Sequence, residues 1–288
     1  MKLLFLSDNF PPEVNAPATR TYEHCKAWVN KGHQVTVLTC FPNFPVGKVY
    51  DGYTNKLYQV ENIDGIKVIR LWTYISPNKG FIKRTLDYLS FALISFFAGV
   101  FKNFDLVIGT SPQFFTIISS LLISKIRFKK SIVEIRDIWP ESISAVGAMS
   151  KNSYIFKFLL KIEKYIYKNT DGIVVVTDSF KNNLIQKGID FEKIRVIKNG
   201  INLNSLQSNE DKSDQIINNS IKNLKDKTVV GYIGTHGMAH GLNFILKSIK
   251  KIKNTEIHFI FIGDGSERNS LMELANKLSL NNITFIKQ

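Results

Sequence analysis

Cysteine is scarce. The 288 residues hold two, Cys25 and Cys40, with no CxxC spacing and no histidine pair beside them. That gives no zinc or redox motif and leaves a reduced, cytosolic chain as the default. Acidic residues are also few: 24 Asp and Glu stand against 38 Lys and Arg, a formal net charge of +14 and a pI of about 9.6. No Arg-rich run, finger or helix-turn-helix pattern collects the positive charge, so nucleic acid is not an expected partner. The apolar start at residues 3–6 is too short for a signal peptide and reads as a buried first strand. No GxGxxG follows that strand and no acidic ribose reader lies about 20 residues on, which weighs against a nicotinamide enzyme. With 44% hydrophobic and 22% charged residues, wholesale disorder and collagen-like or mucin-like composition are excluded.

The basic excess is uneven. Residues 1–168 carry 22 Lys and Arg against 12 Asp and Glu, and residues 169–288 carry 16 against 12. Such a charge suits a phosphate-bearing small molecule or an acidic membrane surface; the plain alternative is a solvated basic surface.

Apolar runs alternate with helical spacing. Strands are expected at 3–6, 34–39, 67–71, 105–109, 132–135, 172–177 and 194–197, with helices at 22–31, 114–125, 154–168 and 179–187. Runs this continuous argue for a parallel sheet covered on both faces, hence a doubly wound α/β domain over 1–202. Residues 203–227 are rich in Asn, Ser, Asp and Lys and read as a linker, with a short helix at 215–224. The βα pattern restarts at 228–288, with strands at 228–233, 256–262 and 283–286 and helices at 241–253 and 266–278. That is about half of an ordinary domain, and a truncated second domain is expected.

Residues 86–101 are mostly hydrophobic, contain Asp87 and are bracketed by Lys79, Lys83, Arg84 and Lys102. Sixteen residues fall short of the roughly 20 that span a bilayer. They form either a buried helix packed on the sheet or an interfacial helix whose basic flanks meet anionic headgroups.

Three loops sit where strands end, the side on which open α/β sheets bind ligands. The first, FPPEVNAPATR at 10–20, leads into a helix and can present backbone N–H groups to a phosphate, or be a proline-stiffened surface loop. The second, GYIGTHGMAHGL at 231–242, has glycines that let the backbone approach an anion. Its two histidines lie in a loop without a third ligand, so no metal is expected. The third, IGDGSER at 262–268, takes its weight from standing one βα unit later. Between them, EIRDIWPES at 134–142 delivers Arg136 and Asp137 to a strand end. Arg can clamp a phosphate or sugar hydroxyl, and Asp can orient it or take a proton. Trp139 offers a face to a sugar ring. The alternative is an Arg–Asp pair beside a core tryptophan.

With GHQVTVLT at 32–39, DLVIGTSP at 105–112, VVVTDSF at 174–180 and VIKNGIN at 196–202, these motifs resemble family-four retaining glycosyltransferases of the GT-B fold. The likeness is to the bacterial O-antigen and capsule branch, including N-acetyl-L-fucosamine transferases. It covers nearly the whole chain. The resemblance implies two Rossmann-like domains facing across a cleft, the second incomplete, and transfer of a sugar from a nucleotide-sugar donor, UDP-linked, with retention. It implies a lipid-linked or polysaccharide acceptor, an anionic membrane surface as partner, and a peripheral place at the inner face of the plasma membrane. No metal or other cofactor is implied, since helix N-termini and cationic side chains neutralise the leaving diphosphate.

The resemblance assigns Arg136 and Asp137 to catalysis. It places Asn15, Ala16, Gly234, Thr235, His236, Gly237, His240, Gly263, Asp264 and Gly265 on the donor, and Pro12, Glu13, Arg20, Ser111 and Trp139 on the acceptor side. The sequence departs from the pattern in places. Many relatives carry Arg and Lys where Thr235 and His240 stand, His-Asp in place of Arg136-Asp137, and paired glycines in place of Asn15-Ala16. The family's pair of glutamates eight residues apart would fall beyond residue 288. A GT-B nucleotide-sugar 2-epimerase and a non-catalytic fragment that binds membrane or a partner are the rival readings.

Overall fold

The computed structural model describes all residues except 46, 77–80, 146, 148, 201–217, 219–221, 225, 255 and 288. The chain divides into two compact units, Met1–Gly200 and Ile201–Gln288. The expected linker at 203–227 and its short helix lie mostly outside the described residues; a single 3-10 turn is seen at Lys222–Leu224.

The first unit is an eight-stranded sheet with strand order β3-β4-β2-β1-β5-β6-β7-β8. The strands are β1 (Lys2–Leu6), β2 (Gln34–Cys40), β3 (Tyr58–Ile63), β4 (Ile66–Leu71), β5 (Leu106–Thr110), β6 (Lys130–Ile135), β7 (Gly172–Val175) and β8 (Ile194–Val196). All pairings are parallel except β3 with β4. The helices are α1 (Ala16–Asn30), α2 (Phe81–Val100), α3 (Phe114–Arg127), α4 (Glu141–Ala145), α5 (Tyr154–Asn169) and α6 (Asp178–Gln186).

The side chains explain why both faces are covered. Along β1, Leu3 and Phe5 point to one side, where they join Val35, Val37 and Val68 under Tyr22 and Trp28 of α1. Leu4 and Leu6 point to the other, with Leu38, Ile69 and Val107 under Phe96 of α2 and Ile123 of α3. Each such side chain contributes about 1.5–3 kcal/mol on burial, so a strand apolar on both faces is stable only between two helical layers.

Several elements differ from expectation, the short helix α4 among them. β3 was not foreseen; it is an antiparallel edge strand joined to β4 by a tight turn in which Asp64 and Gly65 adopt φ of +50° and +81°. α1 starts at Ala16 rather than at 22, because Asn15 caps it: its Oδ1 accepts from the Ala18 N–H at 2.8 Å, and Pro17 fits the first turn, where no intrahelical donor is needed. The apolar segment at 86–101 forms most of α2, which buries Phe91, Ala92 and Ser95 and leaves Leu86, Leu93, Phe97 and Phe101 exposed. It is thus buried on one face and open on the other. Among the described residues, no helix is long and apolar enough to cross a membrane.

The second unit holds a parallel sheet of order β11-β10-β9: β9 (Thr228–Ile233), β10 (Ile257–Ile262) and β11 (Ile283–Ile286). Two helices, α7 (Leu242–Ile249) and α8 (Arg268–Lys277), connect them. Leu242, Leu246, Phe259, Phe261 and Leu271 form its core.

Candidate functional site

From β1 the chain winds outward to β2 and β4, then returns to β5 on β1's other side. In an open α/β sheet this reversal opens a crevice at the carboxyl ends of the two strands. A cleft lies there, with about 170 Å³ of empty space including its mouth. Ser7, Asp8 and Asn9 follow β1 into it, Ser111 and Gln113 follow β5, and Arg136 follows β6. At its depth there is room for about one water-sized group.

Asp8 and Gln113 were not singled out from the sequence. Gln113 is buried, and its Nε2 donates to Asp8 Oδ2. The remaining atoms of the pair, Asp8 Oδ1 and Gln113 Oε1, are buried with no hydrogen-bond partner among the described residues. Two such acceptors, on residues that line one small cleft, call for a donor, since leaving them unmet costs about 1–3 kcal/mol each. Burial raises the Asp8 carboxyl to about 6 against the hydrogen bond from Gln113. Burial likewise raises Glu13 to about 7 and Asp87, on α2, to about 7. The signal for Asp8 was available, since it directly follows a strand end; nothing local marked Gln113 or Asp87.

The expected residues divide by what they touch. Asn15 is the α1 cap and also donates through Nδ2 to Asn9 Oδ1 at 2.9 Å; Ala16 is the first, exposed residue of that helix. Pro12 is exposed nearby. Glu13 is turned inward: its Oε1 accepts the N–H groups of Asn43 and Phe44 at 2.8 and 2.9 Å. It pins one loop to another. Arg20 is also buried. Its guanidinium meets Glu134 Oε1 at 2.9 Å, Asn199 Oδ1 at 2.9 Å, and the carbonyls of Ile197 and Lys198 at 2.9 and 3.2 Å. Its charge is taken up by a brace inside the first unit. Glu134, missed in the sequence, anchors that brace and also accepts from Thr110 Oγ1 at 2.7 Å.

Arg136 is shared between structure and cleft. Nε donates to the Ser111 carbonyl at 2.7 Å, Nη2 donates to the same oxygen, and Nη1 donates to the Pro17 carbonyl at 3.2 Å. A guanidinium has five N–H donors, so two remain for a ligand. Burial, opposed by Glu134, lowers its pKa to about 10. Ser111 Oγ accepts the backbone N–H groups of Arg136 and Asp137 at 2.7 and 3.1 Å; its hydroxyl closes the end of β6. Asp137 is half-buried, and burial raises its carboxyl above the ordinary range. Trp139 stacks on Phe114 with centroids 5.8 Å apart and planes at 10°. That contact takes one face of the ring, and the core reading of Trp139 prevails over a sugar platform on that face.

In the second unit the two glycine loops lie against each other. Gly234 N–H donates to Ile262 O and His236 N–H to Asp264 O, at 3.0 and 2.9 Å. A Cβ on Gly263 would stand 2.0 Å from Gly234 O, and one on Gly265 would stand 2.5 Å from His236 O. These glycines therefore serve loop-on-loop packing. Gly237 is different, with nothing nearer than 3.7 Å to an added Cβ. His236 is buried among Tyr232, Phe261 and Phe285, with ring centroids 5.9, 6.3 and 6.1 Å away. Burial first, then the Arg268 charge, holds it below the ordinary histidine pKa. Both of its ring nitrogens are buried with no hydrogen-bond partner among the described residues. Thr235, His240 and Asp264 are exposed. Asp264 Oδ1 accepts the Gly265 N–H at 2.8 Å, which lowers its pKa. Among the described residues, no group of three or more His, Cys, Asp or Glu is placed to hold a metal.

Comparison with known proteins agrees with this architecture. WcaI of Escherichia coli K12, whose name assigns it to colanic acid biosynthesis as a glycosyl transferase, is 24% identical over 290 residues. The alignment takes in 99% of this chain and 71% of WcaI. WbjE of Pseudomonas aeruginosa, named a glycosyltransferase, is 27% identical over 167 residues, covering 58% of this chain and 41% of that protein. The crystal structure of Anabaena HepE in complex with UDP-glucose superposes with a TM-score of 0.65 at 14% identity, over 100% of this chain and 69% of that one. That likeness shows the fold, the GT-B fold implied by the sequence motifs. The family model described as Glycosyltransferase Family 4 matches residues 17–205, and so spans β1's following helix through the end of the first unit: the chain belongs to glycosyltransferase family 4.

Proposed function

We propose that this glycosyltransferase moves a sugar from a UDP-linked donor, with retention, to a lipid-linked acceptor during surface polysaccharide synthesis at the inner face of the membrane. The observation that carries the acceptor side is the pair of unmet acceptors, Asp8 Oδ1 and Gln113 Oε1, in a cleft sized for one hydroxyl. A sugar hydroxyl donates one hydrogen bond and meets one of these two acceptors. Asp8 orients the incoming hydroxyl, and Arg136 offers its two remaining N–H groups beside it. Asp137 orients the transferred sugar. The exposed turn from Gly237 to Gly241, with His240, faces the diphosphate through its backbone.

The reaction follows front-face attack. The acceptor oxygen bonds to the anomeric carbon on the side from which the diphosphate departs. The bond from that carbon to the diphosphate oxygen breaks, and the hydroxyl proton passes to the diphosphate. Charge develops on that leaving group, where oriented N–H groups stabilise it most. Support for the donor class comes from HepE, whose structures hold UDP and UDP-glucose, and for the pathway from the name of WcaI.

The test is transfer itself. The protein is incubated with a panel of UDP- and GDP-sugars and bacterial lipid extract, and the product linkage is read by NMR. An α-linked product from an α-linked UDP-sugar is expected. An inverted linkage, or transfer from GDP-sugars alone, overturns the reading.

A further inference from the structure

Helix α5 carries three rows of side chains, only one of which faces the protein. Phe156, Leu159, Glu163, Ile166 and Tyr167 are buried against the sheet. Lys157, Lys161, Lys164 and Lys168 form a second, exposed row at i, i+4, i+7 and i+11. The third row is apolar yet open: Tyr154, Phe158 and Tyr165 are 90%, 62% and 60% exposed, with Ile155 beside them at 64%. A surface helix of a globular protein ordinarily shows polar residues there. The helix's one acid, Glu163, is buried and paired with Lys187 at 2.8 Å, so the exposed surface has a single sign of charge. Lys157, Lys161 and Lys164 have no ion-pair partner among the described residues.

Position links the cleft to the start of α5, with Tyr154, Ile155 and Phe158. Thr170, at its end, meets Ser131 at the start of β6: the Thr170 Oγ1 donates to the Ser131 carbonyl at 3.0 Å. The carboxyl end of α5 thus lies at the amino edge of the sheet. Sixteen residues at about 1.5 Å each carry its start to the opposite edge, the one that holds the cleft. The exposed Phe97 of α2 and Phe101 just after it, with Ile126 of α3 and Phe128 just after that helix, sit where the chain runs into β5 and β6, at the amino edge.

We propose that the lysine row and the open aromatic row of α5 are the surface that rests on an anionic bilayer. Lysine heads meet the lipid phosphates while their stems and the aromatic rings lie at the headgroup boundary. The cleft is then held at the height where a lipid-linked sugar emerges. This rests on the reading of a membrane-borne acceptor, and it moves the contact from the 86–101 helix to α5.

Co-sedimentation with vesicles tests it, using equal parts phosphatidylglycerol and phosphatidylcholine, and phosphatidylcholine alone. The wild-type protein binds the anionic vesicles and is released by high salt, which screens the attraction. Lys157→Glu/Lys161→Glu/Lys164→Glu weakens binding at least about tenfold. Lys102→Glu/Lys125→Glu/Lys129→Glu, at the amino edge, weakens it less than about threefold. Tyr154→Ser/Phe158→Ser lowers binding without changing its salt dependence. Circular dichroism melts confirm that each variant folds. If the wild type ignores anionic vesicles, the membrane reading itself fails. If it binds and the α5 variants bind equally, α5 is not the contact. If Tyr154→Ser/Phe158→Ser instead turns a dimer into a monomer in sedimentation velocity and leaves vesicle binding intact, the face is a self-association surface and the proposal is overturned.

Discussion

Gly263→Ala is the sharpest perturbation of the second unit. Gly263 follows β10 with φ of +143°, a backbone region that is essentially glycine-only and costs other residues about 1–3 kcal/mol. The added Cβ would also lie 2.0 Å from Gly234 O and 3.0 Å from Gly234 C. Both are backbone atoms, held by the ladder bond from Gly234 N–H to Ile262 O at 3.0 Å, so no flexible side chain can swing aside. Forcing the loops apart adds an overpacking cost of about 1–3 kcal/mol. Together the loss is about 2–6 kcal/mol, a large share of the roughly 5–15 kcal/mol that a whole domain possesses. Gly237→Ala is the control. Its φ is −122°, and the nearest atoms to a Cβ are 3.7 Å away, so the change lies within about 0.5 kcal/mol of zero. Hydrogen exchange measured on peptides from β9 to β11 reads both. Exchange of these strands in Gly263→Ala within about 0.5 kcal/mol of wild type would refute the packing role assigned to the glycine pair.

The same geometry makes Gly237→Val informative: it leaves these strands protected but abolishes UDP binding by calorimetry, and unchanged binding places the diphosphate elsewhere. Glu134→Leu leaves Arg20 without its carboxylate partner and lowers the first unit's stability by about 3–5 kcal/mol in urea denaturation; a loss below about 1 kcal/mol contradicts the brace. Arg136→Ala reduces turnover at least about tenfold and also lowers the melting point, because two loop carbonyls lose a charged donor, whereas Asp137→Ala reduces turnover with the melting point nearly unchanged. Equal melting losses in both variants would return the pair to a structural role. Buried Asp8, Glu13 and Asp87 have folded-state pKa values raised to about 6, 7 and 7. The folded chain therefore keeps protons that the unfolded chain has released, so their contribution is full below the unfolded pKa near 4 and is lost as pH rises through about 6–7. Glu13→Gln accordingly flattens the fall in melting temperature between about pH 5 and pH 7.5, and an unaltered slope rules this out.

The central strands of the parallel sheet were legible because their apolar runs are nearly continuous, as the β1 run shows. β3 escaped notice for the opposite reason: YQVENI alternates and carries a charge, as an edge strand does. Its marker was the Asp64-Gly65 turn, a strong hairpin signal. The early start of α1 was also written in the chain, in Asn15 and Pro17. What lay beyond local reading was the direction of side chains. Glu13 and Arg20 occupy a loop and a helix start at the ligand edge of the sheet, where charged residues were expected to face a substrate. Their partners are Asn43 and Phe44 in one case, and Glu134 and residues 197–199 in the other. No spacing rule connects positions that far apart. Gln113 joined the site in the same way, through a fold that brings the ends of β1 and β5 together.

The brace from Arg20 has a consequence for how the protein is made. Its guanidinium bonds the carbonyl of Ile197, 177 positions later in the chain, and β1 sits in the middle of the sheet, between β2 and β5. Arg20, early in the chain, is therefore among the last side chains to find all its partners. At about 5–20 residues per second the wait for residue 197 lasts roughly 10–35 seconds. During that interval the buried charges of Arg20 and Glu134 are only partly matched. Non-local topologies of this kind fold slowly and expose sticky surface as they do. A nascent chain stalled before residue 197 would be a client for chaperones, and release of the segment around Asn199 is the step that lets the brace close.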